Sequence, residues 1–213
     1  MKTHCSVVVL ISGNGSNLQA LIDASVHANF KIAAVISNNP DAYGLERARR
    51  DDIPALTVNH RDFENRAQFD QALMDQIDPF HPDLLVLAGF MRILGPRFVQ
   101  HYQGRILNIH PSLLPRYPGT NTHQRVLDAG DQEHGVSVHF VTEDLDGGPL
   151  VAHARVEVRT DDTATSLAQR VHTREHIIYP HVVSWFAAGR LTMRDNKAWL
   201  DDEPLPPAGL ELE

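Results

Sequence analysis

At 213 residues, against a soft prior of roughly 150 residues per domain, the chain is expected to form one single-core domain, residues 1–213, which excludes a long repeat array or a large multidomain assembly. Its 42% apolar and 22% charged residues match ordinary globular usage, so it can bury a sizeable core and is not disordered by composition. Nineteen Lys and Arg against 27 Asp and Glu leave a formal net charge of −8, which opposes non-specific binding to nucleic acid, so an anionic ligand has to be captured by local donors.

The first half alternates short β-branched runs with longer amphipathic segments, the pattern of β-α-β units. Strands are predicted at Ser6–Ile11, Ile32–Ser37, Ala55–Val58, Leu84–Leu87 and Arg105–Ile109, each nearly all apolar, as in a parallel sheet covered on both faces. Helices are predicted at Asn17–Ala28, Leu45–Asp51, Phe63–Ile77 and Thr122–Ala129. In the third, Phe63, Ala67, Leu73, Met74 and Ile77 recur largely at helical spacing, with Arg66, Asp70 and Asp75 between them, so one face packs on the sheet. After Gly135 the run VSVHFVTEDLDGGPLVAHARVEV reads as two alternating strands joined by an acidic, Gly-rich turn, an antiparallel addition. A helix from about Thr163 to Ala187 follows, with Asp162, Thr163 and Ser166 available as caps, Gly189 as a stop and Pro180 as a kink. Asp195 to Glu213 is polar and Pro-rich, with Trp199 and Leu200 as candidates to dock on the core. The fold class is therefore α/β, a Rossmann-like, mostly parallel sheet flanked by helices with an antiparallel strand addition in the C-terminal half.

Cys5, the single cysteine, cannot form an intramolecular disulfide, and the N-terminal run lacks a small-residue cleavage site, so a cytoplasmic location is expected. No apolar stretch approaches the roughly 20 residues of a membrane span, since even the run 84–94 contains Gly89 and Arg92. Asn14-Gly15-Ser16 fits a glycosylation pattern that carries no meaning without secretion.

Several motifs bear on chemistry. The turn Ser12-Gly13-Asn14-Gly15-Ser16-Asn17 joins strand one to helix one, so its backbone N–H groups and the helix dipole point at whatever lies above it. Leu18 replaces the third glycine of a dinucleotide fingerprint, and strand two ends in Ser37-Asn38-Asn39 without an acid for a ribose; a monophosphate fits better than a dinucleotide. The bland alternative is a turn that merely permits tight packing. Asn108 and His110, two apart at the end of an apolar strand and followed by Pro111 and Pro115, project from one face at the carboxyl edge where open α/β sheets hold ligands. An amide beside an imidazole suits acyl transfer, the amide holding an oxyanion while the imidazole moves a proton; among 13 histidines a hydrogen-bonded strand end is the alternative. In Glu143-Asp144-Leu145-Asp146-Gly147-Gly148 the ligand spacing of a calcium loop is missing. A carboxylate from it near His110 would favour the imidazolium; otherwise the turn is simply solvated. His172-Thr173-Arg174-Glu175-His176 matches a zinc pattern, but a catalytic zinc needs a third ligand that nothing singles out, and Glu175 can instead face a substrate amine or hydroxyl.

Together, VVVLISGNGSNLQALID, LVLAGFMRIL, NIHPSLLPRYPG and VHFVTEDLDGGPLVA resemble the phosphoribosylglycinamide formyltransferase family, folate-dependent enzymes of purine synthesis. EHIIYP and VSWFAAGRL look like the family's C-terminal part, so the likeness runs end to end. The resemblance implies transfer of a formyl group from 10-formyltetrahydrofolate, as cosubstrate and without a metal, to the amine of glycinamide ribonucleotide. It implies Asn108, His110 and Asp146 as catalytic residues, and Gly15, Ser16, Asn17 and Glu175 as ribonucleotide-binding. It implies Arg66, Met91, Arg92, Ile93, Leu94, Asn108, Thr142 and Asp146 on the folate side. The N-terminal half of the domain would then bind the ribonucleotide phosphate, and the C-terminal half folate and the chemistry. The implied partners are these two small molecules, with no nucleic acid and no membrane, in a monomer or homodimer.

Three rivals remain. Formyltetrahydrofolate hydrolase shares the Asn, His and Asp but carries an added N-terminal domain, whereas strand one begins here within the first ten residues. Methionyl-tRNA formyltransferase adds a C-terminal RNA-binding domain, for which this chain is too short and too acidic. A non-catalytic sensor of the same fold would be expected to lose one of the three polar residues, and all three are present.

Overall fold

The computed structural model describes residues 4–213. The chain divides into two compact units, one ending at Leu107 and one running Asn108–Glu213.

The first unit holds β1 (Cys5–Ile11), α1 (Ser16–Ser25), β2 (Phe30–Ser37), α2 (Gly44–Arg50), β3 (Ala55–Thr57), α3 (Arg66–Ile77), β4 (Leu84–Leu87), α4 (Pro96–His101) and the start of β5 (Ile106–His110). Its strands run side by side in the order β5-β4-β1-β2-β3. β1 pairs in parallel with β2 on one side and β4 on the other, which is why Val7–Ile11 and Leu84–Val86 are fully buried. Strands covered on both faces have no use for alternation, and these show none. Leu18 and Leu21 of α1, Leu45 and Ala48 of α2, and Phe69, Leu73 and Ile77 of α3 complete this core.

The second unit takes over β5 at Asn108 and adds α5 (Thr122–Ala129), β6 (Glu133–Phe140), β7 (Leu150–Glu157), α6 (Ala164–Ala187), β8 (Leu191–Arg194), β9 (Lys197–Leu200), β10 (Glu203–Pro204) and β11 (Leu210–Glu211). Here the order is β11-β7-β6-β5, with β6 and β7 antiparallel. α6 buries Leu167, Val171, Ile178, Tyr179, Val182 and Val183, contacts β6 and β7, and runs on through Pro180. It starts with a capping box in which Thr163 and Ser166 satisfy each other's backbone N–H.

The α/β class and the antiparallel addition therefore stand as the sequence predicts, and four local expectations are corrected. α3 begins at Arg66 rather than Phe63, because Asn65 Oδ1 accepts the Gln68 N–H at 3.0 Å and caps the helix there. Within α3, Asp70 is buried, at 5% exposure, while Ala67 is exposed, which reverses their predicted faces. α4 was not foreseen; Pro96 occupies its first turn, where a missing N–H costs nothing. The C-terminal stretch is not merely polar and Pro-rich: β8, β9 and β10 form an antiparallel sheet. Asp195 and Asn196, both at positive φ, turn β8 into β9.

Candidate active site

In the second unit the alternation of β5 sends Ile109 to the core and leaves Asn108 and His110 on the other face. His110 is only 6% exposed. Its Nε2 lies 2.9 Å from the Tyr117 carbonyl oxygen and its Nδ1 3.6 Å from Asp146 Oδ1, so each ring nitrogen faces an oxygen acceptor. Tyr117 belongs to the proline-rich loop after β5, in which Leu114-Pro115 is cis and both Tyr117 and Asn121 have positive φ. Ser137 of β6 anchors that loop, accepting the Leu114 N–H at 3.0 Å and donating to the Ser112 carbonyl at 2.7 Å.

Asp146 sits in the acidic turn between β6 and β7, at φ +50°, a conformation costing a non-glycine residue about 1–2 kcal/mol. Of the three carboxylates offered by sequence, Glu143 and Asp144 are exposed, whereas the Asp146 side chain is 8% exposed. Its Oδ2 accepts the Gly119 N–H at 2.8 Å and its Oδ1 faces His110. Gly148 lets the turn close, since a Cβ there would lie 1.8 Å from the Phe140 carbonyl oxygen. The reading of a merely solvated turn therefore fails at Asp146 and holds for its two neighbours. Thr142 lies half-buried at the start of the same turn.

Sequence reasoning missed His139. It is 2% exposed, its Nδ1 is 2.9 Å from the Phe140 carbonyl oxygen, and its Nε2 is 3.2 Å from Asn108 Nδ2 and 4.0 Å from Asp146 Oδ1. Burial pushes its pKa down, which keeps the ring neutral. With Nδ1–H donated to the carbonyl, Nε2 is a lone pair that accepts from the Asn108 amide and fixes which end of that amide is the donor. Nothing in VSVHF marks this histidine out from the other twelve; only its placement opposite Asn108 does.

Glu175 on α6 is 4% exposed, while His172 and His176 stack with ring centroids 6.4 Å apart. No group of three or more His, Cys, Asp or Glu among the described residues is placed to hold a metal ion.

In the first unit Gly15 caps α1 in the left-handed conformation, φ +76°, and no side chain caps the helix. The N-terminal end of the helix dipole lies at this turn, the kind of place where backbone N–H groups can receive an anion. The turn is gripped from α2: Gly44 N–H donates to the Gly13 carbonyl at 3.0 Å. Arg47 donates from Nε to the Asn14 carbonyl and from Nη2 to Asn14 Oδ1, both at 2.9 Å. A Cβ on Gly15 would lie 2.7 Å from Gly44 Cα. Ser16 and Asn17 follow as the first helical residues, both half-buried.

The predicted folate segment of this unit is also presented outward. Met91 and Ile93 are 69% and 58% exposed, Leu94 is half-buried and Arg66 exposed, and the Arg92 guanidinium lies 5.9 Å from the Phe69 ring centre. Both ends of the segment are pinned: Met91 N–H donates to Ser12 Oγ at 2.7 Å and Gly95 N–H to Asp70 Oδ2 at 2.8 Å. Burial pushes the Asp70 carboxyl up, opposed by the Gly95 N–H, Arg66 and Arg92. Sequence reasoning missed both anchors.

Comparison with known proteins gives a consistent result. A profile described as formyl transferase matches residues 5–183. The phosphoribosylglycinamide formyltransferase of Escherichia coli (strain K12) is 56% identical over 206 residues, covering 96% of this chain and 97% of that protein. The human trifunctional purine biosynthetic protein adenosine-3 is 43% identical over 206 residues, 95% of this chain but 20% of its own length. Among solved structures, the phosphoribosylglycinamide formyltransferase of Coxiella burnetii superposes with a TM-score of 0.95 at 55% identity, over 99% of this chain and all of that one. Glycinamide ribonucleotide transformylase 1 of Symbiobacterium toebii does so at 0.90 and 40% identity, over 94% and 95% of the two chains.

Proposed function

The chain belongs to the formyl transferase family, and from that premise we propose that it transfers the formyl group of 10-formyltetrahydrofolate to the primary amine of glycinamide ribonucleotide, with Asn108, His110 and Asp146 carrying the chemistry. The observation that carries the reading is the arrangement around His110: an imidazole facing a buried carboxylate, two strand positions from an amide whose donor end is set by a neutral His139.

In this mechanism the amine nitrogen attacks the formyl carbon, a C–N bond forms, and the carbonyl oxygen becomes an oxyanion. The second Asn108 N–H and a protonated His110 stabilise that charge. His110 Nε2 must first release the Tyr117 carbonyl, so the loop after β5 has to give when substrate enters. The tetrahedral intermediate collapses by breaking the bond to the folate nitrogen, which takes a proton from His110, while the attacking nitrogen gives its proton up through water, from which His110 regains one, so no net proton is gained or lost. Asp146 orients the ring through Nδ1 and balances its charge throughout. No bond to the enzyme forms.

The ribonucleotide phosphate is assigned to the N–H groups of Gly15, Ser16 and Asn17, and the buried carboxylate of Glu175 to the polar remainder of that substrate. Arg66, Met91, Arg92, Ile93 and Leu94, together with Asn108, Thr142 and Asp146, are assigned to folate, the exposed apolar side chains of 91–94 suiting a flat heterocycle. The same reading has the enzyme act on these small molecules alone, in the cytoplasm, as a monomer or homodimer. The net charge of −8 and the single cysteine support it. An absorbance assay of deformylation tests the proposal: turnover of a 10-formyl folate is expected only when glycinamide ribonucleotide is added. Equal turnover without the ribonucleotide would make water the acceptor and the enzyme a hydrolase.

A further inference from the structure

The two segments of the first unit assigned to the two substrates are joined by one side chain. Ser12 leads into the phosphate turn and lies 79 positions from Met91, which opens the folate segment. Its hydroxyl oxygen accepts the Met91 N–H at 2.7 Å and its proton goes to Asn38 Oδ1 at 2.5 Å. Asn38 is 4% exposed and is itself held by His60, whose Nδ1 lies 2.9 Å from the Asn38 carbonyl oxygen and 3.1 Å from Nδ2. Asn39 Nδ2 adds a longer contact, 3.4 Å, to the Ser12 carbonyl. The donors run in one direction, from Met91 N–H through the Ser12 hydroxyl to Asn38, so each bond polarises the next. The far end of the chain, Asn38, is buried, and its near end is the first residue of a segment that is mostly exposed.

We propose that Ser12 is a positioning residue that couples the two substrates energetically: folate docking on 91–94 immobilises Met91, and the Met91–Ser12–Asn38 chain passes that ordering to the turn that holds the ribonucleotide phosphate. This rests on the substrate assignment above. The effect is reciprocal, because a coupling free energy between two sites acts equally on both ligands.

The test is calorimetric, with tetrahydrofolate as a folate that cannot donate a formyl group. Glycinamide ribonucleotide is titrated into the whole protein with and without saturating tetrahydrofolate, and the experiment is repeated with the ligands exchanged. Wild-type protein should bind each ligand about fivefold or more tightly with the other in place, whereas in Ser12→Ala that ratio should fall to about one, whatever the individual affinities become. Ser12→Thr, which keeps the hydroxyl, should retain the ratio. In the wild type alone, exchange of the Met91 amide hydrogen should slow when glycinamide ribonucleotide is added without folate. A ratio near one in the wild type, an unchanged ratio in Ser12→Ala, or a Met91 amide indifferent to the ribonucleotide would each overturn the coupling. Failure of both ligands to bind wild-type protein would instead overturn the substrate assignment beneath it.

Discussion

His110 has an oxygen at each ring nitrogen, Tyr117 at one end and Asp146 at the other, so its position is determined before substrate arrives. On the proposed mechanism alanine at His110 or at Asn108 removes one stabiliser of the oxyanion, and each is expected to lower kcat by about 10²–10³, roughly 3–4 kcal/mol. Turnover near wild type with both substrates saturating would show that the oxyanion is held elsewhere. A second histidine gives a pH prediction. His134 is 1% exposed, its Nε2 lies 2.9 Å from His123 Nδ1, and burial together with that neighbour pushes its pKa down to about 4. The unfolded chain takes up this proton near pH 6.5, whereas the folded chain refuses it until about pH 4. The stabilisation is thus complete above pH 6.5 and is lost as the pH falls through that window. The loss is on the order of 3 kcal/mol. Urea midpoints at pH 7 and pH 4.5 measure it, and His134→Gln should flatten the difference between them; an equally steep decline in the variant would assign it to other groups.

At the scale of elements, the turns carry the strongest consequences. Gly148 has no room for a side chain beside the Phe140 carbonyl oxygen, so Gly148→Ala must reshape the turn that presents Asp146. With Asp146 in the role proposed for it, kcat is expected to drop by about tenfold or more, since small misplacements of a catalytic group are costly. Wild-type kinetics in that variant would mean that the turn tolerates a shift of Asp146. Asp195 and Asn196 both have positive φ and form a two-residue connection between β8 and β9. This is the geometry that suits the twist of a hairpin and that Asn and Asp tolerate. Asn196→Val should cost about 1–2 kcal/mol and Asn196→Gly should not destabilise, read as shifts in thermal midpoint. The same residues show why this hairpin was not legible in the sequence: Asp-Asn lacks the glycine that advertises such a turn, and a pair of four-residue strands is too short for a periodic pattern. Asn108 and His110 were legible because a fully apolar strand that ends in two spaced polar residues and a proline has few other readings. Asp146 was singled out by the family resemblance and not by its own pattern, because three acids in one turn look alike until β6 and β7 pair and bury one of them. His139, Asp70 and Ser12 act through partners 25 to 79 positions away, a separation that no local pattern encodes.

For the molecule as a whole, the parallel order of the first unit and the antiparallel pairing of β6 with β7 in the second follow from the change in texture near Gly135, from solid apolar runs to alternating ones. β5 belongs to both, its first two residues ending one unit and its last three opening the other, and Asn108 is the residue at which the chain changes unit. The net charge of −8 is spread over a protein that has to hold a phosphate, and the proposed seat at α1 would answer this with backbone N–H groups and a helix dipole rather than with a basic surface. Nothing in the proposed mechanism calls for a Lewis acid, and no triad of metal-ligating side chains converges among the described residues. Turnover with glycinamide ribonucleotide is therefore expected to be unchanged by excess EDTA; a loss restored by zinc would point back to His172 and His176.

The close approach of Gly15 and Gly44 bears on how this enzyme can be altered. A Cβ on Gly15 meets Gly44 Cα at 2.7 Å, and one on Gly44 meets Ile11 Cδ1 at 2.4 Å and Gly15 Cα at 3.3 Å. In a saturation library the two positions should behave as a single locus, with nearly every survivor keeping glycine at both. With the ribonucleotide phosphate seated at this turn as proposed, attempts to retune the enzyme toward a bulkier or differently charged ribonucleotide would gain nothing from these sites and would have to work through Asn14, Arg47 and the side chains of Ser16 and Asn17.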